Sequence, residues 1–249
     1  MKGSSHLRLS RYLALSGVAS RRQAEKIIAA GRVQVCGAVI TLPQHRVKAE
    51  DRVTVDGRAV KPVVKKDYLL LNKPSGFLST VKDTHGRPTV LQLLGRTGTR
   101  LYPVGRLDLE TTGLLLLTND GELAYRLTHP RFGVEKKYRV RVKGIPGPAV
   151  LQKMARGIIL EEGPSAPAKV RLLRRSRKSA LLEIILTEGR KRQVRRMCAA
   201  CGHPVEELRR TGFAFLTDSG LESGSYRRLS GAEVRRLYRL VGLEQQGSS

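Results

Sequence analysis

Val104-Gly105-Arg106-Leu107-Asp108-Leu109-Glu110-Thr111-Thr112-Gly113-Leu114-Leu115-Leu116-Leu117-Thr118-Asn119-Asp120-Gly121 alternates turn chemistry with apolar sequence. Residues 104–108 read as an extended approach, Glu110-Thr111-Thr112-Gly113 as a turn, and 114–117 as a strand. Asn119-Asp120-Gly121 is a second turn, where an Asp is suited to local hydrogen bonding, and a helical patch at 121–127 follows. Residues two apart in a strand share a face, so Arg106 and Asp108 are expected to project together beside the first turn. The guanidinium would then hold Asp108 ionised. On spacing alone, a structural ion pair explains this arrangement as well as a catalytic one does.

Outward from this stretch, residues 68–71 read as a buried strand and Asn72-Lys73-Pro74-Ser75-Gly76 as a turn. Residues 79–89, with Asp83, His85, Gly86, Arg87 and Pro88, hold few apolar anchors and are expected to form a mobile basic loop of the kind that carries binding residues. Strand signals recur at 138–142, 170–173 and 181–186, and helical patches at 148–156, 191–201 and 231–240. The order predicts an α+β domain on a mostly antiparallel mixed sheet with flanking helices. In Lys136-Lys137-Tyr138-Arg139-Val140-Arg141-Val142-Lys143 a period of two turns Tyr138, Val140 and Val142 inward and the cations outward. Tyr138 is then a core ring or a pocket wall. In 187–196 a strand turns through Gly189 into a helix, and amides and cations (Arg190, Arg195, Arg196 among them) meet at its N-terminus as an anion site.

Other chemistries lose support. There is no Gly-x-x-x-x-Gly-Lys-[Ser/Thr] loop and no Gly-x-Gly-x-x-Gly after a strand, which argues against nucleotide hydrolysis and dinucleotide use. Cys198-x-x-Cys201 with His203 resembles half a zinc site. However, Val194, Met197, Cys198 and Cys201 share one helix face, so both thiols are expected in the core. His45, His85 and His129 are isolated, and each reads as a surface or turn residue.

The composition points to a polyanion. Lys and Arg number 47 against 21 Asp and Glu in 249 residues, a net charge of +26. Nucleic acid relieves such self-repulsion through counterion release. Hydrophobic residues make up 40%, enough for packed cores, but aromatic residues are only 4% with no Trp, so extensive base stacking is not expected. No apolar run approaches the ~20 residues of a membrane span, and the N-terminus lacks an apolar signal core. Three cysteines suit a reducing cytoplasm. Secreted, membrane-spanning and fibrous classes are thereby set aside.

The N-terminal residues 7–60 read as a separate α-then-β module. Leu9, Tyr12 and Leu13 mark one helix stopped by Gly17. Ser20 opens a capping box with Gln23, and Ala24, Ile27 and Ile28 form the stripe of a second helix ending at Gly31. Short strands around Val33, Val35, Val39, Val53 and Val55 follow, with turns at Cys36-Gly37 and Asp56-Gly57. Arg11, Arg21, Arg22, Lys26 and Arg32 crowd the helix pair, and residues 1–66 carry 14 Lys and Arg against 4 Asp and Glu, a phosphate-binding face. Residues 61–66 combine Pro62 with positive charge and read as a linker; 67–243 form the second domain.

The run Ala19-Ser20-Arg21-Arg22-x-Ala24-Glu25 through Ala30-Gly31-Arg32-Val33-x-Val35 resembles the S4 RNA-binding domain. Further matches follow in order: Asn72-Lys73-Pro74-x-Gly76, Gly86-Arg87-Pro88-Thr89, Gly105-Arg106-Leu107-Asp108 on to Gly121, Leu127-Thr128-His129-Pro130, Lys137-Tyr138, and Glu188-Gly189-Arg190-x-x-Gln193-Val194-Arg195-Arg196-Met197. The whole resembles the ribosomal RNA pseudouridine synthases that carry an S4 domain before the catalytic domain. The likeness is greatest to members acting on large-subunit 23S rRNA, with those acting on small-subunit 16S rRNA next. The resemblance implies cofactor-free isomerisation of a flipped-out uridine. It casts Asp108 as the essential aspartate, Tyr138 as the ring packed on the base, and Arg190 as the arginine paired with Asp108, with Arg106 beside them. Lys73, Arg87 and Arg195 would contact RNA. Attack at the sugar, attack at the base and removal of the C2′ proton are all open to such a carboxylate. The implied partner is ribosomal RNA or a ribosomal precursor particle, with no metal, no membrane and a monomeric, cytoplasmic protein. The rival reading is a non-catalytic S4-type RNA-binding or assembly protein, which leaves the second domain without a purpose. An RNA methyltransferase would need a Gly-rich cofactor turn that is absent.

Overall fold

The four leucines 114–117 do not alternate with polar residues, because the strand that carries them is covered on both faces. In the computed structural model, which describes residues 6–63, 65–95 and 98–243, they lie in strand Thr112–Thr118 and all four are buried. Leu114 and Leu116 pack with Leu70, Leu123, Leu127, Val234 and Leu237 on one side. Leu115 and Leu117 pack with Leu69, Leu71, Val90, Leu94, Leu101 and Leu107 on the other. A strand buried on both faces reads as a continuous apolar run.

The chain divides into two units: Met1–Lys66 with Gly98–Arg100, and Asp67–Thr97 with Leu101–Ser249. Val64, within the segment read as a linker, lies outside the described residues. In the first unit, helices α1 (Leu9–Leu15) and α2 (Arg21–Ala29) precede a small sheet ordered Ala38–Val39, Val33–Val35, Val53–Val55, Arg58–Val60. Leu9, Leu13, Ala24, Ile28, Val33 and Val53 form its core. Both turns use consecutive left-handed residues, Cys36-Gly37 and Asp56-Gly57, whose twist matches the flanking strands. Ser20 caps α2 by accepting from the Gln23 amide at 3.2 Å. The reciprocal half of the expected capping box is not made among the described residues, where the Gln23 side chain has no partner.

The second unit is α+β. Its sheet runs Lys169–Arg175, Ser179–Leu186, Lys136–Lys143, Val205–Phe213, Thr112–Thr118, Tyr68–Lys73, Tyr226–Arg228. The Val205–Phe213/Thr112–Thr118 pair is parallel; the other neighbours along that path are antiparallel. Helices α3 (Gly121–Thr128) and α6 (Gly231–Leu240) contribute to the cluster around Leu114 and Leu116. Helices α4 (Pro148–Arg156) and α5 (Gln193–Ala200) cover the half built around Val140, Leu182 and Ile184, where the strand Ser179–Leu186 alternates buried and partly buried residues.

Three local readings need correction. Residues 104–108 are not a strand: regular pairing stops at Tyr102–Pro103, and Gly105 turns the backbone left-handed at φ +73°. Helix α5 starts at Gln193, two residues after the helical signal begins, because Arg192 takes a left-handed conformation as its N-cap. The longest strand of the sheet path, Val205–Phe213, gave no readable strand signal. At its parallel junction Gly113 has φ +103°, and a Cβ there would lie 2.2 Å from the Arg210 carbonyl oxygen, so only glycine permits this approach.

Candidate active site

Asp108 stands on a short irregular loop, and the backbone on either side of it is pinned by side chains. On the N-terminal side, Ser79 Oγ accepts from the Leu107 amide at 3.1 Å and donates to the Leu107 carbonyl at 2.9 Å. On the C-terminal side, Lys73 Nζ donates to the carbonyls of Leu109 at 3.1 Å, Thr111 at 2.8 Å and Pro74 at 3.0 Å. The Gly76 amide also donates to Leu109, and the Thr111 amide closes a turn onto the Asp108 carbonyl. Ser79 and Lys73 are both buried, Lys73 completely. The Asp108 side chain itself is half-buried and has no hydrogen bond or ion pair among the described residues. Burial pushes the Lys73 ammonium down to about 8, against the opposing pull of the Glu110 and Asp108 carboxylates. Three acceptors require three N–H donors, so the full clamp exists only while Lys73 is protonated.

This placement corrects the expectation that Lys73 meets RNA: a fully buried ammonium spent on three carbonyls has nothing left for a phosphate. The Arg106–Asp108 pair is absent too: residues 104–108 lie outside any strand, so the period of two that would align the two side chains does not apply. Arg106 is exposed and forms no ion pair among the described residues. The pairing of Arg190 with Asp108 is likewise not found. Arg190 donates to Glu188 at 3.3 Å, the Gly163 carbonyl at 2.9 Å and the Pro164 carbonyl at 2.5 Å. Gln193 completes that knot, accepting from the Arg190 amide and donating to Glu188. Arg195, in the first turn of α5, differs: it is half-buried and its Nε is buried without a partner. Arg192, the residue capping α5, reaches Glu110 at 3.8 Å, which brings this helix start to the Asp108 turn. Tyr138 is half-buried and packs against both the Leu107-containing cluster and the Val140-containing one. Its ring therefore lines the boundary between these two clusters.

Comparison with known proteins identifies the family. The family model described as RNA pseudouridylate synthase matches residues 67–200, and the S4 domain model matches residues 7–53. The chain belongs to the RNA pseudouridine synthases. A Bacillus subtilis protein named ribosomal large subunit pseudouridine synthase B is 46% identical over 94% of this chain and 96% of its own. An Aquifex aeolicus protein named uncharacterized RNA pseudouridine synthase is 42% identical over 96% of each. A crystal structure titled as a pseudouridylate synthase superposes with a TM-score of 0.67 at 32% identity, covering 93% of this chain and 99% of that one. The protein is thus an RNA-modifying isomerase with an S4 domain, and the α+β reading stands.

In this synthase the expected RNA contacts of the S4 module divide. Arg11, Arg21, Arg22 and Lys26 are exposed and have no side-chain partner among the described residues. Arg32 is committed to Asp56 through two bonds, at 2.9 and 2.5 Å. Arg87 is exposed but donates through its side chain and its amide to Asp83, whose carboxyl it holds well below the usual range. Asp120 is structural: it caps α3 through the Leu123 amide and accepts from the hydroxyls of Tyr68 and Tyr238. Cys198 is buried in the core with its thiol pushed up to about 12, and Cys201 is partly buried beside it; no metal-holding cluster occurs among the described residues. Ser79 was not anticipated, since nothing in the sequence distinguishes it from a turn serine.

Proposed function

We propose that this synthase converts a uridine of large-subunit ribosomal RNA to pseudouridine, with Asp108 as the reacting carboxylate. The net reaction breaks C1′–N1, rotates the base and joins C1′ to C5. C5 gives up a proton and N1 gains one, so the atoms balance without oxidant, reductant or cofactor. The observation that carries the assignment is a half-buried, unpartnered carboxylate on a backbone pinned on both sides by Ser79 and Lys73. Such preorganisation is what a reacting group requires and what a structural ion pair does not. We assign the cationic partner of Asp108 to Arg195 rather than Arg190 or Arg196, because Arg190 is spent on Glu188 and two carbonyls and Arg196 on Glu162, while Arg195 Nε is buried and unmatched. Tyr138 supplies the wall against which the base packs, and exposed Arg106 meets the RNA strand at the rim.

Large-subunit RNA is favoured by the name of the Bacillus subtilis relative. The target nucleotide must leave its stack, which costs a few kcal/mol, about the scale that remote contacts through Arg11, Arg21, Arg22 and Lys26 can offset. In this reading residues 7–60 are the RNA-holding domain, 61–66 the linker and 67–243 the catalytic domain of a monomeric cytoplasmic enzyme; no helix among the described residues is long and apolar enough to cross a membrane. Asp108→Asn should keep affinity for a 23S rRNA transcript within a few-fold while abolishing pseudouridine formation, read by carbodiimide-blocked primer extension. Substantial turnover by this variant would remove Asp108 from the mechanism, and an unchanged rRNA map in a deletion strain would move the substrate elsewhere.

A further inference from the structure

Aromatic residues are only 4% of the chain, yet Tyr125, His129 and Phe132 are gathered at the end of α3. Ring centroids lie 5.2 Å apart for Tyr125–His129 and 6.3 Å for both Tyr125–Phe132 and His129–Phe132. The Arg131 guanidinium sits 4.5 Å over Phe132 and 5.9 Å from the Tyr125 ring. Tyr125 is 47% exposed, far more than a ring of this size needs for a packing role, and its hydroxyl has no partner among the described residues. The two arginines differ. Arg126 is committed to Glu122 and to the carbonyls of Val241 and Gly242, whereas the Arg131 side chain faces no carboxylate or carbonyl among the described residues.

The cluster is tied to the Asp108 loop. Thr128, the last residue of α3, lies against Gly105, where a Cβ would stand in ordinary contact 3.4 Å from Thr128 Cγ2. Gly105 lies three residues before Asp108 on the same loop. An open tyrosine ring and a stacked, unneutralised guanidinium form a surface for a planar, anionic ligand, and the Asp108 loop lies next to it. Nucleobases stack on Tyr rings and Arg planes irrespective of their identity, and the guanidinium is free to meet a phosphate.

We propose that Tyr125, His129, Arg131 and Phe132 form a stacking subsite for an unpaired nucleotide of the RNA that carries the target uridine. The proposal rests on the reading of Asp108 above and narrows its substrate class to RNA in which a second, unstacked base lies near the target. The low aromatic content argues against an extended platform; a single-base station needs only this one cluster.

The test uses the full chain with Tyr125→Leu, Tyr125→Phe and Arg131→Gln. The probes are a single-stranded RNA of about twelve mixed-sequence nucleotides and a hairpin with a stem of about twelve base pairs, closed by a compact loop whose bases stay stacked. Tyr125→Leu should weaken single-strand binding about tenfold with hairpin binding unchanged, and Tyr125→Phe should restore it. Arg131→Gln should weaken binding and reduce the salt slope by about one phosphate contact. On a 23S rRNA transcript, Tyr125→Leu should raise KM more than it lowers kcat. Unchanged single-strand affinity in Tyr125→Leu, or equal losses on single strand and hairpin, would overturn the subsite. So would unaltered RNA binding combined with lost association with a protein-bearing ribosomal particle, which would make the patch a protein contact. If the unmodified enzyme forms no pseudouridine, the function proposed above falls, and the oligonucleotide comparison still decides the subsite.

Discussion

Replacing Lys73 with methionine separates two effects that the structure sets against each other. The substitution keeps an unbranched stem as far as Cε but removes an ammonium that is fully buried and donates to three carbonyls. Burial lowers its pKa from 10.5 to about 8. The unfolded chain therefore binds the more protons between those values, and the native state gains stability as pH rises through that window. For this pair of values the linkage relation gives a gain of about 2 kcal/mol between pH 7 and pH 9.5, and Lys73→Met must lose that gain. Lys136, also lowered to about 8 by burial, is present in both proteins and cancels in the comparison. At pH 7 the variant escapes the burial penalty but strands the Thr111 and Pro74 carbonyls, at about 1–3 kcal/mol each. The net stability change is thus small to moderate. Activity has no such compensation. With the turn after Asp108 unclamped, kcat should fall about a hundredfold, the scale of a 1 Å misplacement. In the wild type, activity should decline as pH rises above about 8, opposite in sign to the stability trend, because deprotonation removes the third donor. Urea unfolding from pH 7 to pH 9.5 and single-turnover pseudouridine formation read both quantities. Parallel stability curves for the two proteins, or full kcat in Lys73→Met, would refute the clamp.

Gly113→Ala places a methyl 2.2 Å from a backbone oxygen at a positive φ and should cost about 3 kcal/mol or more in urea unfolding; a loss below about 1 kcal/mol would show that the parallel junction is not tight. Arg195→Lys should lower kcat with little change in unfolding free energy, while Arg190→Lys should mainly lower stability; the reverse pattern would return the Asp108 partnership to Arg190. Arg21→Glu and Arg22→Glu should each weaken rRNA binding and reduce its salt slope by about one, measured by filter binding from low to moderate salt, and an unchanged slope would remove that helix face from the RNA contact.

Much of the architecture was written in local sequence. Helices α4 and α6 occupy the spans 148–156 and 231–240 that their apolar spacing predicts. The leucine run was readable as a strand, although its double-sided burial was not. Val205–Phe213 shows no strand signal because Glu206, Glu207, Arg209 and Arg210 mask any alternation, and Arg210 is nevertheless buried, its Nε donating to the Leu114 carbonyl across the sheet. That partner is a long-range fact. The site was legible in part. Asp108 and Tyr138 are positioned by short stretches whose motifs are intact, whereas the partners of Lys73, Ser79 and Arg190 depend on backbone carbonyls brought in from distant segments. A buried lysine and a surface lysine look alike in one dimension. The Arg106–Asp108 pairing failed because the strand ends at Pro103, before either residue.

The parallel union of Arg209 and Arg210 with Thr112 and Gly113 has a consequence for biosynthesis. Val205–Phe213 is the strand that joins Lys136–Lys143 to Thr112–Thr118, so the hairpins translated earlier have no seam between them until it emerges from the ribosome. A nascent or prematurely terminated chain ending before it holds Asp108, Lys73 and Tyr138 but leaves the tyrosine and the aspartate on unjoined sheet halves. Isomerase activity should therefore switch on abruptly, late in synthesis, rather than accumulate with chain length.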